Sequence, residues 1–369
     1  MRPHIIYTTD NDKKEKTKKV NHMADYKNQH IIPQFYQRLF SNDEKSIGKY
    51  VIHLRKCFNP SIRNTASEDY YYDDKDFMES GKQTIEKTLN LIETGAAVAI
   101  KELIQNGEEI LSPKEFQFLY SFIGLQILRT KTCAKRTEEV SNNILKELNT
   151  QVQKLFPNLV ITNDIKPHNA SLKHAASMTM SLLDLRYKVL EISIPDSFFL
   201  TSDNPVSQFN PFLYKQNIYN QGPALVGSLV FMPISPVKGI LLYDSQVYKI
   251  GTKKSNTVQI RQKADVDSLN LLTCLNAYDE LLYNPSNQPY FCFTNLIERV
   301  SKLRKIERKK RQEVNVSETE TIPAYIAQKT MQTKLSFVKV LDKARSYHLQ
   351  NVLWNPILIR PTGQLYNGK

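Results

Sequence analysis

Three short motifs in this sequence combine residue types that could act on a phosphate ester. His30 begins the stretch HIIPQF, Glu93 lies in LIETGAAVA, and Asp203 lies in LTSDNP. A histidine and carboxylates can transfer protons or bind a divalent metal, and both roles occur in phosphate-ester hydrolysis. We therefore predict that His30, Asp203 and Glu93 are catalytic. The sequence identifies no cofactor; a divalent metal is compatible with these side chains.

Two long polar residues on one predicted helix supply candidate phosphate-binding groups. At 100° per residue, Gln126 and Arg129 share a sector with Phe122. Apolar neighbours turn that sector toward the core, so both polar side chains are predicted to be buried or to face a cleft. A buried guanidinium needs a carboxylate, so we expect Arg129 within salt-bridge reach of Glu93 or Asp203. The alternative is an arginine that reaches past the edge of the core and serves the structure only.

Further polar residues near these motifs are predicted to bind the substrate. The complete set is Gln34, Gln126, Arg129, Ser202, Asn204, Ser235 and Asn276. Ordinary turn chemistry before proline is the alternative explanation for SDNP. His30 also has a purely structural alternative, a hydrogen-bonded histidine. Its stretch only partly resembles the strand of a His-Asn-His nuclease finger, because Gln29 stands where that finger has a second His or Asp.

The alternation of HIIPQF suggests where His30 points. In an extended segment, His30 and Gln34 lie on the same face. Pro33 lacks an amide donor, which favours a sheet edge or a position outside a sheet. We therefore expect His30 to line a cleft shared with Asp203, with Gln34 and Arg129 at its edge.

The elements that position these residues change in period along the chain. HIIPQFYQRLF and KYVIHLRK are predicted to be short extended segments. Helices are predicted at TIEKTLNLIETGAAVAIKELI, after SPKE with its capping-box residues Ser112 and Glu115, at TEEVSNNILKELNTQVQKLF, and through HNASLKHAASMTMSLLDLRYKVL. LEISIP, SFFLTS, LVFMPIS and GILLYD favour strands, and DVDSLNLLTCLNAYDELLY is predicted to be helical. The fold class is therefore α+β, with a helix-rich N-terminal half packed on a mostly antiparallel sheet and further C-terminal helices.

Composition divides the chain and limits its partners. We predict a mobile polar arm over residues 1–27, a core domain over 28–290, and a basic helix with an extension over 291–369. The four cysteines lie far apart without a C-x-x-C pair, which is typical of reduced, cytoplasmic proteins. No run of 18 apolar residues occurs, so no membrane partner is expected. The two common glycine-rich phosphate-binding motifs are absent from the sequence.

The net charge of +13, with a pI near 9.3, favours acidic partners such as nucleic acid. A protein partner also remains open. The densest basic run is SKLRKIERKKR, which is predicted to contact nucleic acid. Its cations are Lys302, Arg304, Lys305, Arg308, Lys309, Lys310 and Arg311. An ordinary solvated helix end is the alternative.

Several of these stretches together resemble a known family. In order, they are HIIPQFYQRLF, IEKTLNLIETGAAVAIKEL, FIGLQILRT, FFLTSDNPV, FMPISP and NLLTCLNAYDELLY. This order is similar to that of the bacterial and fungal proteins grouped as domain of unknown function 4238, over about residues 28 to 285. The family pattern matches His30, Pro33, Gln34, Phe35, Glu93, Gln126, Arg129, Ser202, Asp203, Asn204, Pro205, Ser235, Pro236 and either Asn270 or Asn276. Gln37 departs from it, since the family usually has a residue closer to leucine there.

The resemblance brings no activity with it. Genes of such proteins occur among mobile elements and phage-defence genes, so it implies an intracellular effector by analogy. Combined with the candidate residues, the first hypothesis is a phosphodiesterase or nuclease-type effector that acts on nucleic acid or a nucleotide, with phage defence as its setting. The alternative is a non-catalytic nucleic-acid- or protein-binding module with a buried structural polar network. A nucleotide-sensing regulator is a third, weaker hypothesis.

Overall fold

The computed structural model describes residues 28–69, 71–72, 84–107, 111–162, 166–214, 222–287, 295–302, 335–345 and 360. Helices and mostly antiparallel sheets are both present, which confirms the predicted α+β class. The strands are β1 Asn28–His30, β2 Gly48–Val51, β3 Lys56–Phe58, β4 Ser67–Asp69, β5 Arg186–Ile192, β6 Thr201–Ser202, β7 Ser207–Phe209, β8 Leu229–Pro233, β9 Lys238–Tyr243, β10 Tyr248–Ile250, β11 Thr257–Ile260, β12 Glu280–Tyr283 and β13 Val338–Val340. The predicted arm at 1–27 lies outside the described residues.

The labelled helices lie between and after these strands, and α2 to α6 follow one another without a strand between them in the part of the chain that the structure describes. They are α1 Gln34–Arg38, α2 Thr84–Gln105, α3 Pro113–Leu128, α4 Lys131–Leu155, α5 Pro167–Leu172, α6 Ala175–Met180, α7 Pro211–Tyr214, α8 Lys263–Asn276 and α9 Asp342–Arg345. Residues 295–302 are also helical. None of the helical stretches within the described ranges has the length and apolarity that crossing a membrane requires.

A five-stranded sheet in the order β11-β5-β9-β8-β7 forms the centre of the fold. All of its pairs are antiparallel except the parallel pair of β11 and β5. Because side chains alternate along a strand, Val189 and Leu190 of β5 enter different apolar clusters. The Val189 cluster includes α1, α2 and α3, whereas the Leu190 cluster includes α8. Helices therefore cover both faces of this sheet, and the N-terminal helices pack on it as predicted.

A second sheet, in the order β3-β2-β12-β6, carries the SDNP stretch. In this sheet β12 lies between β2 and β6 and pairs with both in the antiparallel sense. Residues 202 to 204 thus lie at the end of a two-residue strand, directly beside the beginning of β12. This edge positions Asp203.

The prediction that the whole of HIIPQFYQRLF is extended is wrong, because a helix begins at Gln34. Asn28–His30 forms β1, which pairs with β4, but Gln34–Arg38 is the helix α1. Pro33, with φ −57° and ψ 143°, ends the extended backbone, and its carbonyl accepts the amide of Gln37 at 3.1 Å. Since the chain turns into a helix here, the alternation that placed His30 and Gln34 on one face does not apply.

The helical pair α2–α3 matches the sequence closely. Ser112 and Glu115 form the predicted capping box at the start of α3. The small residues of TGAAVA allow close helix packing, since a Cβ at Gly95 would lie 2.3 Å from Cγ of Phe118. Glu93 lies two residues earlier in the same stretch of α2. The next predicted helix is α4, which begins six residues earlier than TEEV.

Two stretches predicted as single helices change to strands partway. In the first, α5 and α6 are short, and RYKVLEI becomes β5, whose Val189 and Leu190 are buried between β9 and β11. In the second, α8 ends at Asn276 and β12 begins at Glu280. β-Branched and aromatic residues favour strand pairing in both places, and long-range pairing overrides the helical pattern.

Residues beyond the predicted boundary near 290 pack on the core. β13 pairs with β10, and the hydroxyl of Ser336 donates to Asp265 of α8 at 2.6 Å. Arg360 forms a two-point salt bridge with Asp184, at 2.6 and 2.8 Å. The boundary itself stays a prediction, but these contacts cross it.

Candidate functional site

Arg129 is the centre of a buried polar network, which we call the Arg129 network. It is the C-cap residue of α3, and only 1% of it is exposed. Its Nη1 lies 2.6 Å from Oε1 of Glu93, its Nε donates to the hydroxyl of Tyr72 at 3.0 Å, and its Nη2 donates to the backbone carbonyl of His30. The predicted burial and the predicted salt bridge to Glu93 are both confirmed.

The electrostatics of this network favour a permanent ion pair. Burial opposes the charged form of Arg129, but Tyr72 and Glu93 outweigh that effect and place the pKa of Arg129 above its ordinary value. Three separate segments, β1, α2 and the residues after β4, are joined by this one guanidinium. The network can therefore hold these segments in register.

The His30 imidazole makes its hydrogen bond outside the Arg129 network. Its Nε2 lies 3.3 Å from the carbonyl of Ile62, and only the backbone carbonyl of His30 meets Arg129. Burial lowers the pKa of His30, with a smaller contribution in the same direction from the charge of Arg129. His30 is therefore held neutral at pH 7, in a position suited to hydrogen bonding.

Asp203 forms a second buried centre, which we call the Asp203 turn. Its Oδ1 accepts the amide of Tyr278 at 2.8 Å, and its Oδ2 accepts the amides of Asp279 and Glu280 at 2.8 and 3.0 Å. Tyr278 and Asp279 lie between α8 and β12, and Glu280 is the first residue of β12. The carboxylate thus ends α8 and starts β12, which is the local reason why DVDSLNLLTCLNAYDELLY is not one helix.

Burial dominates the acidity of Asp203. It raises the pKa of Asp203 to about 6, although the three backbone amides act in the opposite direction. A carboxyl group that titrates near pH 6 can exchange a proton at physiological pH. The Asp203 turn is therefore both a structural anchor and the strongest acid–base candidate of the predicted set.

The neighbours of Asp203 stabilise the same end of β6 through hydrogen bonds. The hydroxyl of Ser202 donates to the backbone carbonyl of Asn204 at 2.8 Å. The side-chain amide of Asn204 donates to the backbone carbonyl of Asn276 at 3.1 Å, and the side-chain amide of Asn276 donates to that of Asn204 at 2.9 Å. Asn270 holds β6 from the other end, since its side chain bonds to the backbone of Phe198 and Leu200. Ser202, Asp203, Asn204 and Asn276 are thus brought together, each bonded to backbone.

Lys131 is a charged residue close to both centres. It begins α4, two residues after Arg129, and forms an ion pair with Glu68 of β4. Burial opposes its charge, but Glu68, and then Glu280 and Asp203, raise the pKa of Lys131. Its ammonium group therefore lies in the field of the Asp203 turn, and its side chain is 43% exposed. Lys131 is therefore a solvent-accessible cation beside these buried residues.

Tyr36 ties α1 to the strand of Asp203. Its hydroxyl donates to the carbonyl of Pro233 at 2.6 Å and lies 2.8 Å from Oγ1 of Thr201. Phe35 and Tyr36 also pack on Phe122 of α3. The His30 segment and the Asp203 strand are thereby held in one neighbourhood, while their shared cleft stays a prediction.

Gln126 lies one turn from Phe122 and one turn from Arg129, on the same face of α3. It is fully buried, and neither its Nε2 nor its Oε1 has a hydrogen-bond partner among the described residues. Gln37, equally buried, behaves differently: its Nε2 donates to the carbonyls of Ile32 and Thr65 at 2.8 and 3.0 Å. These bonds explain how a glutamine amide is accommodated in the core at this position.

The remaining predicted residues lie apart from both centres. Gln34, at the start of α1, accepts a hydrogen bond from the exposed Arg38 at 2.8 Å. Ser235 accepts the amides of Val237 and Lys238 and so closes the turn between β8 and β9. Of the basic run, Lys302 is exposed at the end of the helical residues 295–302. The other six cations, Arg304, Lys305, Arg308, Lys309, Lys310 and Arg311, lie outside the described residues.

The side chains that could bind a metal do not form a metal centre in the described part of the chain. No three His, Cys, Asp or Glu side chains there are grouped so that they could hold a metal ion. Glu93 is paired with Arg129, and both oxygens of Asp203 accept backbone amides. The described residues, as placed, do not fit the divalent metal that the sequence made possible.

Sequence reasoning missed three residues that define these centres: Tyr72, Lys131 and Tyr36. Each acts through contacts between segments far apart in the chain, 57 residues for Arg129 and Tyr72 and 165 for Tyr36 and Thr201. A weak signal existed for Lys131, because it directly follows Arg129 and Thr130 at a predicted helix boundary.

Comparison with known proteins adds one match. The family model described as "Protein of unknown function (DUF4238)" matches residues 28–287, which include both centres. No curated protein and no solved structure shows significant similarity to the chain.

Proposed function

Because this chain belongs to the DUF4238 family of proteins of unknown function, we propose its role from its own geometry: a non-catalytic module that binds nucleic acid. In this proposal the buried polar residues that the sequence suggested as catalytic serve the fold instead. The Arg129 network and the Asp203 turn hold the scaffold, and the basic surface contacts the phosphates.

One observation carries the proposal: the guanidinium of Arg129 is buried and already has three partners. A phosphate could reach it only by displacing Glu93, Tyr72 or the carbonyl of His30. Opening such a pair leaves a buried charge unpaired, which costs about 3–5 kcal/mol. The three amides on Asp203 point the same way, since each is a backbone group that must be satisfied.

The case for nucleic acid rests on charge. The net charge is +13, and exposed cations occur within the described residues at the β2–β3 hairpin and around β11. They include Arg55, Lys56, Lys253, Lys254, Arg261 and Lys263. Cations spread over a surface bind phosphates through counterion release, without needing a sealed pocket.

The test measures binding of the full chain to labelled single-stranded DNA, duplex DNA and RNA by fluorescence anisotropy over a range of salt. We expect an affinity that falls steeply with salt for at least one nucleic acid. Replacing Lys253 and Lys254 with glutamine should flatten the salt slope, whereas Lys131→Gln, within the polar centres, should leave it unchanged. Binding that is absent or independent of salt would overturn the proposal.

Phosphate-ester hydrolysis is the second candidate, favoured by one observation. A carboxyl group with a pKa of about 6 and a neutral histidine lie on segments joined through Tyr36 and Thr201. In that case Asp203 would accept a proton from water, and His30 would hydrogen-bond the ester. His30→Ala would then abolish cleavage while leaving the melting temperature nearly unchanged, whereas in the binding module it would lower the melting temperature. Asp203→Ala would abolish cleavage only in the enzyme and would lower the melting temperature in either case, because three backbone amides lose their acceptor.

A further inference from the structure

Helix α4 presents an apolar surface that the described part of the chain leaves uncovered. None of its 25 residues is buried. Four aliphatic side chains stand out: Val140, Ile144, Leu148 and Leu155 are 47%, 54%, 42% and 76% exposed. We call these four the α4 stripe.

The spacing of the α4 stripe makes it one continuous face. At 100° per residue the four side chains fall within a sector of about 80°. From Val140 to Leu155 the stripe runs roughly 22 Å along the helix. Such a face is usually buried against another element, because an amphipathic helix is stabilised mainly by packing of its apolar side.

Within its own chain, α4 packs mainly on α5. The hydroxyl of Thr137 lies 2.7 Å from that of Ser171 in α5, near the beginning of α4. Since α5 has only six residues, it spans roughly 9 Å and cannot cover the length of α4. After the helix, Ile161 exchanges two hydrogen bonds with the side chain of Asn149, which lies on another face. The α4 stripe is left open between these two supports.

The size of this patch suits an interface. Together with Phe156 at the helix end, 61% exposed, the stripe presents on the order of 500 Å² of apolar surface, near the upper end for a monomer. Two such patches facing each other approach the roughly 1,000 Å² that a specific protein interface needs. Two copies of the patch together therefore supply about the smallest area that a specific interface buries.

The residues beside the stripe also fit a protein partner. At 100° per residue the uncharged Gln151 falls within the stripe and the uncharged Ser141 borders it, which suits the centre of an interface, where charged residues are depleted. On the other side of the stripe lie Asn143, Glu147 and Lys154, a flank of mixed charge without the run of basic residues that an anionic lipid surface selects. An antiparallel arrangement would set Val140 of one copy near Leu155 of the other, so the stripe complements itself.

We propose that the α4 stripe is the surface through which two copies of this chain associate, as an antiparallel pair of α4 helices. Such a pair is isologous: the same patch is used by both subunits, and the assembly closes at two. Because nothing in it involves the Arg129 network or the Asp203 turn, it stands independently of the proposed nucleic-acid binding.

The test is the molar mass of the purified full chain by light scattering and sedimentation at micromolar to tens of micromolar concentration. We expect a dimer for the natural sequence. Ile144→Glu and Leu148→Glu should halve the mass, because each places a charge in the centre of the interface. Val98→Glu is the matched control: Val98 is 56% exposed on α2, outside the stripe, and its variant should remain dimeric.

Thermal melting establishes that each variant is folded, and Leu155→Glu, at the exposed end of the helix, replaces any central variant that is not. A monomeric natural chain over the whole concentration range, or a dimer that survives both central substitutions, would overturn the proposal. Sedimentation with phosphatidylserine-containing vesicles is measured in parallel. A monomer that binds vesicles through the stripe would overturn it in favour of a lipid surface.

Discussion

The guanidinium of Arg129 and the carboxylate of Glu93 lie 2.6 Å apart, 36 residues apart in sequence, and the arginine side chain is 2% exposed. The pair joins the end of α3 to the middle of α2, where small residues let the two helices approach. The same guanidinium also bonds to Tyr72 and to the backbone of His30. The Arg129 side chain therefore links α3 to three other segments: β1 with His30, α2 with Glu93, and the residues after β4 with Tyr72.

Arg129→Met is expected to lower the free energy of unfolding by about 3–5 kcal/mol, because it leaves the Glu93 carboxylate without its buried partner. Lys131→Met is the control: its ion pair with Glu68 is about half exposed, so its loss should cost about 1 kcal/mol or less. Urea unfolding of both variants measures the difference. Equal losses would show that the Arg129 network contributes nothing beyond a surface pair.

Gln126→Leu is expected to leave stability unchanged or to raise it. The buried amide of Gln126 has no partner among the described residues, so replacing it with an apolar group of similar size removes a desolvation cost of about 1–3 kcal/mol. Gln37→Leu is the matched comparison, since that buried amide makes two hydrogen bonds and its loss should destabilise. If both variants melt lower by the same amount, Gln126 is satisfied by buried water.

Tyr36→Phe should cost about 1–3 kcal/mol, because it leaves the buried carbonyl of Pro233 and the hydroxyl of Thr201 without this partner. Combining it with Thr201→Val completes a double-mutant cycle. A coupling energy of about 0.5 kcal/mol or more would verify that α1 is fixed to β6 through this contact. Strictly additive effects would mean that the two hydroxyls do not interact in solution.

The stability contributed by Asp203 should depend on pH in a defined direction. Because its pKa is raised from 3.8 to about 6 in the folded state, the folded protein binds the proton more tightly than the unfolded chain. Its contribution is therefore fully present below about pH 4 and is lost as the pH rises through about 6. The change amounts to about 3 kcal/mol or less, since one pKa unit corresponds to about 1.4 kcal/mol.

Unfolding of the natural chain and of Asp203→Asn at pH values from 4 to 7 measures this effect. The stability difference between them should move against the natural chain as the pH rises. His30, whose lowered pKa gives the opposite trend, is present in both proteins and cancels. A difference that moves in favour of the natural chain would show that the three backbone amides outweigh burial.

The sequence predicted those features that depend on local pattern. The apolar period placed Leu89, Ala96 and Leu103 of α2 in the core, and the period of α3 placed Gln126 and Arg129 there as well. The capping box fixed the start of α3 within one residue. These successes share one cause: a helix face is set by neighbours three or four residues away.

What could not be predicted depends on distant partners. RYKVLEI becomes a strand because β9 and β11 flank it, and the chain leaves α8 where Asp203, from 75 residues earlier, accepts the amide of Tyr278 just after the helix. HIIPQF bends at Pro33 because α1 must place Tyr36 against Thr201 and Pro233. In each case a contact made only in the folded chain overrides a local preference.

The salt bridge of Arg360 with Asp184 sets a practical limit on shortened proteins. The family match ends at residue 287, yet Arg360 also donates to the carbonyls of Leu225 and Ser181, at 2.8 and 2.7 Å, and β13 extends the core beside β10. A recombinant fragment cut at the end of the match would expose Asp184, Asp265 and the edge of β10 together. An exposed strand edge invites pairing with other chains. Such fragments are therefore expected to aggregate on expression, and preparations should retain the chain through residue 360.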